Sequence, residues 1–230
     1  MNDIKLLIFD WDGTLMDSVM HIVECMRNSI QELDLEPRSE SEMKNIIGLG
    51  MHEAIYALYP DQQSPAFAER FTAAYRDYFF TANAPQSLFD GVVSTLQDLR
   101  ENGYWLAIAT GKSRRGLDMV LAETGIGDLF LQSRCADETR SKPHPQMLQE
   151  ILQTLKVDPQ QALMIGDTEY DMEMARNAGV HPVGVSYGVH EPDRLNKFKP
   201  VHILDNIGHL PAWLDSNKID KPIQDKQGIN

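Results

Sequence analysis

The sequence predicts an α/β protein: a doubly wound parallel sheet into which a block of helices is inserted. Three observations lead there. Short continuous apolar runs recur along the chain, helical periodicity fills most stretches between them, and one long segment after the first run is helical almost throughout. Continuous apolar runs suit strands buried on both faces, the habit of parallel sheets. Their alternation with helices implies right-handed βαβ crossovers and helices on both faces of the sheet.

The first run is Lys5-Leu6-Leu7-Ile8-Phe9, which ends at Asp10-Trp11-Asp12-Gly13. Next comes the helical block, from about Met16 to Pro85. Val19, Ile22, Val23, Met26, Ile30 and Leu33 mark its first helix. Ser39 and Glu42 have capping-box spacing before a short second helix that ends at Gly48. Phe67, Phe71, Tyr75, Tyr78 and Phe79 mark a later, aromatic-faced helix. The block reads as a domain of residues 16–85 inserted into a core made of residues 1–15 and 86–215, with a return linker near Ala82-Asn83-Ala84-Pro85. The core resumes with an apolar stripe at Val92, Val93, Leu96 and Leu99, then the strand run Trp105-Leu106-Ala107-Ile108-Ala109. A second stripe, Met147, Leu148, Ile151, Leu152 and Leu155, precedes the runs Ala162–Ile165 and Pro182–Val185 and a weaker one at Val201–Leu204. Residues 216–230 are polar and without periodicity, and are expected to be disordered.

Composition narrows the function. With 230 residues, 42% of them hydrophobic and 24% charged, the chain is globular and long enough for one large domain or a core with a smaller one. Its 21 basic and 34 acidic residues give a net charge of −13, which argues against a nucleic-acid partner. A small anionic substrate remains compatible, because a bound metal ion and a few donors reverse the local field. Cys25 and Cys135 lie far apart, with no zinc-ligand spacing and no sign of an oxidising compartment. Asp10 and Asp12 interrupt the first apolar run too early for a signal peptide, and no stretch is long enough to span a bilayer. The expectation is a cytoplasmic chain with no membrane partner.

Four motifs carry the chemistry. Asp10 and Asp12, two apart at the exit of a buried strand, point to the same side of the chain and can share one reacting centre. Asp12-Gly13 alone would read as a turn, but a turn does not explain Asp10. In Ile108-Ala109-Thr110-Gly111-Lys112, Thr110 offers a hydroxyl and Gly111 an unobstructed amide to a phosphate oxygen. Lys112 reads as a solvated surface charge. In Ser141-Lys142-Pro143-His144-Pro145, two prolines fix the chain around Lys142 just before a helix. Finally, in Gly166-Asp167-Thr168-Glu169-Tyr170-Asp171, Asp167 leaves another buried strand and Asp171 enters the first turn of a helix. Each group is expected at the carboxyl end of a separate strand, where ligands bind in such sheets. Together they are what phosphoryl transfer with Mg²⁺ requires.

On these four motifs the sequence resembles the haloacid dehalogenase superfamily, in its phosphoglycolate-phosphatase-like branch, from about Lys5 to Asp205. The resemblance implies a Rossmann-like core with a helical cap inserted after the first motif. It implies Asp10 as nucleophile and Asp12 as general acid/base. It further implies Mg²⁺ held by Asp10, the backbone carbonyl of Asp12 and Asp167, with Asp171 supporting the metal from behind. Thr110, Gly111 and Lys142 would bind the phosphoryl group, and Gly48 and Gly50 of the cap would face the rest of a small phosphorylated metabolite. The dehalogenase branch lacks a second aspartate in its first motif, so Asp12 favours phosphate esters. The phosphonate-hydrolysing and sugar-phosphate mutase branches place a basic residue three positions after a cap glycine. Here that place is Met51, within Ile47-Gly48-Leu49-Gly50-Met51. The expected activity is therefore phosphomonoester hydrolysis. The alternatives are a sugar-phosphate mutase, or a non-catalytic phosphate-sensing or partner-binding protein on the same fold.

Overall fold

A computed structural model describes residues 4–81 and 87–217. Strand β1 (Leu6–Phe9) has all four side chains fully buried. The chain then passes through β2 (Met16–Asp17) into four helices, α1 (Val19–Glu32), α2 (Glu40–Asn45), α3 (Met51–Leu58) and α4 (Pro65–Thr81). It re-enters the core at β3 (Ser87–Leu88), which pairs antiparallel with β2, so the two ends of the inserted block lie side by side. The core continues as α5 (Val92–Glu101), β4 (Trp105–Thr110), α6 (Arg114–Thr124), β5 (Gln132–Cys135), α7 (Gln146–Leu155) and β6 (Ala162–Gly166). It ends with α8 (Glu169–Ala178), β7 (His181–Val185), α9 (Pro192–Asn196), β8 (His202–Leu204) and α10 (Leu210–Ser216).

Six strands form one parallel sheet in the order β5-β4-β1-β6-β7-β8. The chain winds outward from β1 in one direction through β4 and β5, then returns to wind through β6, β7 and β8 in the other. This is the doubly wound, Rossmann-like order, and its switch point lies at β1 and β6. Alternation along β1 divides the core between two faces. Leu7 and Phe9 pack with residues of α5, α6 and α10, while Leu6 and Ile8 pack with residues of α7 and α8. The four inserted helices bury a separate cluster that includes Ile22, Met26, Ile55, Phe71 and Phe79.

Local signals account for several boundaries. Ser39 and Glu42 form the reciprocal capping box at the start of α2. Thr168 and Asp171 form a second one at the start of α8, and Gly125 and Gly179 end α6 and α8 in left-handed conformations.

The structure also departs from the sequence reading. Met16 and Asp17 join a ribbon rather than a helix, and α2 ends at Asn45, three residues before Gly48. Val93 points outward, 40% exposed, because only Val92, Leu96 and Leu99 of its stripe face the sheet. The half-buried edge strand β5 reads Gln-Ser-Arg-Cys and carries no apolar run. Ser216 closes α10 instead of opening a disordered segment. The expected linker at Ala82–Pro85 and residues 218–230 lie outside the described residues.

Candidate active site

The switch point collects the predicted residues. Asp10 follows β1 directly, and its N–H donates to the carbonyl of Ile165 in β6 at 2.9 Å. Asp167 follows β6 and is fully buried. Thr14 donates its hydroxyl to Asp167 Oδ1 (2.9 Å), and the Val189 N–H donates to Oδ2 (2.8 Å). Asp171 is held by the α8 cap, with its Oδ2 accepting from both the N–H (3.1 Å) and the hydroxyl (2.7 Å) of Thr168. One oxygen each from Asp10, Asp167 and Asp171 lie within 4.8 Å of one another. Asp171 is thus part of the carboxylate cluster itself.

Lys142 joins this cluster from the opposite side. Its Nζ lies 2.7 Å from Asp10 Oδ1 and 2.7 Å from Asp171 Oδ1, with the side chain fully buried. These are close charge contacts without hydrogen-bond geometry, since both Asp10 oxygens, Asp171 Oδ1 and Lys142 Nζ have no hydrogen-bond partner. Lys142 is not at a strand end: it comes seven residues after Cys135 closes β5, on the loop that enters α7. A loop can present its long side chain to a site that the strand itself does not reach.

Burial pushes the Asp10 carboxyl well above the usual carboxylate range. Lys142 opposes that shift, and Asp171 and Asp167 add to it. The Asp167 carboxyl is pushed up to about 7, by burial first and then by Asp171. Burial works against the Lys142 ammonium, yet the two carboxylates beside it more than compensate and its pKa rises. Three buried carboxylates beside one ammonium leave an excess of negative charge, with oxygens that lack donors. An all-oxygen, anionic donor set of this kind fits a small hard divalent cation such as Mg²⁺.

Asp12 stands apart from that cluster. Its Oδ1 accepts from the Ser18 hydroxyl at 2.6 Å and from Lys112 Nζ at 2.7 Å. Lys112 is therefore not a solvated surface charge. Its side chain is 6% exposed, and its ammonium sits 4.8 Å from the centre of the Phe79 ring of α4. Position two after Thr110 was the only sequence signal for it, and that says nothing about direction. Ser18 was likewise missed, because its role appears only once β2 turns the chain back beneath Asp12.

Asp10, Asp12, Gly111 and Lys112 line one cavity from the core side, and Gly48, Leu49 and Met51 line it from the inserted helices. A Cβ at Gly111 would fall 2.7 Å from the carbonyl oxygens of Gly48 and Leu49, so only glycine lets the two sides approach this closely there. The Thr110 hydroxyl is buried and accepts the Lys112 N–H at 3.1 Å. Gly50 does not line the cavity. Its N–H donates to Ser141 Oγ at 2.7 Å, joining the inserted block to the loop that carries Lys142.

The Haloacid dehalogenase-like hydrolase family model matches residues 7–185, which spans Asp10, Asp12, Thr110, Lys142, Asp167 and Asp171. The chain belongs to the haloacid dehalogenase superfamily. Within this superfamily it is similar to the Dickeya dadantii protein named "Probable phosphatase IndB", with 32% identity over 89% of this chain and 91% of that one. It is 29% identical to a phosphoglycolate phosphatase of Vibrio cholerae, over 91% of this chain and 96% of that one. Among solved structures, a predicted phosphoglycolate phosphatase of Haemophilus somnus superposes with a TM-score of 0.83 at 25% identity, covering 93% of this chain and 99% of that one. The chain falls in the phosphoglycolate-phosphatase-like branch and is a haloacid dehalogenase-like phosphatase. The four helices between β2 and β3 correspond to the cap of this superfamily.

Proposed function

We propose that this phosphatase hydrolyses a small phosphomonoester, phosphoglycolate-like or a sugar phosphate, with Mg²⁺ and through an aspartyl-phosphate on Asp10. The observation that carries this reading is the state of Asp10 itself. Its carboxylate faces the cavity, is buried, and has neither oxygen engaged in a hydrogen bond.

Asp10, the backbone carbonyl of Asp12, and Asp167 would hold Mg²⁺, and Asp171, which brings an oxygen to the same cluster, would support the ion. Once bound, the ion supplies positive charge that lets an anionic phosphate approach an anionic carboxylate. Lys142 contributes a second positive charge 2.7 Å from Asp10. The Thr110 hydroxyl accepts from Lys112 N–H, which leaves its own proton for a phosphoryl oxygen beside the Gly111 amide. An Asp10 oxygen forms the bond to phosphorus as the ester oxygen leaves, splitting hydrolysis into two displacements. Asp12 acts in the first displacement as a protonated carboxyl that gives its proton to the departing alkoxide, and in the second, as the carboxylate so formed, it takes one from the water that releases inorganic phosphate. Ser18 and Lys112 hold the Asp12 carboxyl in place for both transfers. Residues 16–85 act as the cap over residues 1–15 and 86–215. Within it, Gly48 faces the substrate and Gly50 fixes the cap to the core. Met51 lines the cavity without charge, which supports hydrolysis over mutase chemistry.

Release of inorganic phosphate from a panel of phosphomonoesters tests this reading, with Mg²⁺ and with excess chelator. Turnover that depends on Mg²⁺ is expected. Full activity in chelator would overturn the metal assignment. Conversion of a hexose 1-phosphate to the 6-phosphate without phosphate release would overturn the hydrolase assignment.

A further inference from the structure

A short loop of the inserted helices lies against the core, and both of its flanks are tied down. Ile46, Ile47, Gly48 and Leu49 line the cavity. At one flank the Gly50 N–H donates to Ser141 Oγ. At the other, Asn45 closes α2 and is gripped twice. Its carbonyl accepts the Tyr170 hydroxyl at 2.8 Å, and its side-chain oxygen accepts Arg194 Nη1 at 2.7 Å.

The core half of this grip is placed by contacts of its own. Arg194, on α9, donates to the Glu169 carboxylate through Nε and Nη2, which leaves Nη1 for Asn45. The Glu169 N–H donates to Nδ1 of the buried His190 at 3.0 Å, and the His190 ring meets the Tyr170 ring edge-on. None of these contacts involves the cap, so the guanidinium and the phenol stay in place when the cap moves. Asn45, Glu169, Tyr170 and Arg194 do not line the cavity, so they act on substrate only through the loop.

Substrate has to pass this loop to reach Asp10, so the loop parts from the core and returns in each cycle. The grip suits that duty. Asn45 is exposed, and the Arg194 and Glu169 side chains are 31% and 24% exposed, so water replaces the lost partners on opening. No buried charge is stranded.

We propose that Arg194 and Tyr170 are positioning residues: by holding Asn45 they latch the cap loop over the cavity and set how fully the enzyme closes on bound substrate. The proposal takes residues 16–85 as the cap and rests on the hydrolase reading above. Contacts made only in the closed state weight closed against open. While closure still dominates with substrate bound, losing them raises KM and spares kcat.

Two measurements on the full chain test this: p-nitrophenyl phosphate kinetics with Mg²⁺, and amide hydrogen exchange without substrate. Arg194→Met and Asn45→Ala should each raise KM about tenfold, the scale of a hydrogen bond to a charged group, with kcat within about twofold of wild type. Tyr170→Phe, which loses a neutral bond, should raise KM about threefold. Arg194→Lys keeps the charge without the fork and should lie between wild type and Arg194→Met. In Arg194→Met and Asn45→Ala, exchange should quicken in the peptide spanning residues 46–51 and stay unchanged in β1 and β6. Unchanged KM and unchanged loop exchange in both variants would overturn the proposal. So would a lowered Tm with exchange quickened throughout the core and KM unmoved, the mark of a merely structural contact. No hydrolysis by the wild type would overturn the hydrolase reading instead, and loop exchange would still decide whether Arg194 holds the loop.

Discussion

The ammonium of Lys112 lies 2.7 Å from the carboxylate of Asp12, and the two side chains are 6% and 10% exposed. Removing one partner of such a buried pair leaves the other charge without compensation, a loss of about 3 kcal/mol. Lys112→Met should show that loss in denaturant unfolding. The double variant Lys112→Met with Asp12→Asn should recover more than half of it, because the stranded charge is gone. A loss below about 0.5 kcal/mol in the single variant, the size of an ordinary surface substitution, would show that the pair does not hold this side of the site together.

Asp12 also predicts a dependence on the leaving group. Asp12→Asn removes proton transfer, typically worth about 10²–10⁴ in rate. That loss should appear with alkyl phosphates and shrink with p-nitrophenyl phosphate, whose leaving group hardly needs a proton. Equal losses on both esters would assign Asp12 to positioning rather than to acid/base chemistry.

Asp167 makes the metal-free chain sensitive to pH. Its carboxyl is raised from 3.8 to about 7 in the fold, so between those values the folded state keeps a proton that the unfolded state has lost. This contribution to stability is complete below about pH 4 and is lost as pH rises through about 7, with a slope of at most about 1.4 kcal/mol per pH unit. Metal-free wild type should therefore lose stability relative to Asp167→Asn between about pH 5 and pH 8. Because a metal ligand has to be deprotonated, added Mg²⁺ should raise the wild-type Tm more at about pH 8 than at about pH 6. Equal Mg²⁺ protection at both pH values would contradict the assignment of Asp167 as a ligand.

Gly50 tests how the cap meets the core. A side chain there would place its Cβ 2.8 Å from the Glu53 carboxylate and 3.2 Å from the Cβ atoms of Ala136 and Ser141. Gly50→Val should push the cap loop off Ser141 and lower kcat/KM for small and bulky phosphomonoesters alike. A selective loss on one ester would instead place Gly50 in direct contact with the leaving group.

Much of the core was legible because burial on both faces writes itself as unbroken apolar runs, as at Leu6–Phe9 and Ala162–Ile165. Asp10 and Asp167 were legible for the same reason: a carboxylate at the end of such a run has no structural explanation of its own. The half-buried edge strand β5 was not legible, because one strand neighbour and partial solvent exposure allow Gln132, Ser133 and Arg134. Lys112 was misread because the sequence shows a charge but not its direction, and only the Asp12 carboxylate and the Phe79 ring make its burial tolerable. The seven-residue reach of Lys142 beyond β5, and the use of the Gly50 amide by Ser141, depend on loop paths that no periodicity encodes.

The central claim is that Asp10 carries the phosphoryl group, and chemical trapping of that intermediate tests it most directly. Enzyme turning over a phosphomonoester with Mg²⁺ is quenched and reduced with borohydride, which converts an aspartyl-phosphate to homoserine, and the peptide spanning residues 5–17 is sequenced by mass spectrometry. Homoserine at position 10, dependent on both substrate and Mg²⁺ and absent from an inactive Asp10→Asn chain, is the predicted result. Rapid turnover with position 10 unmodified, together with wild-type rates in Asp10→Asn, would contradict the account.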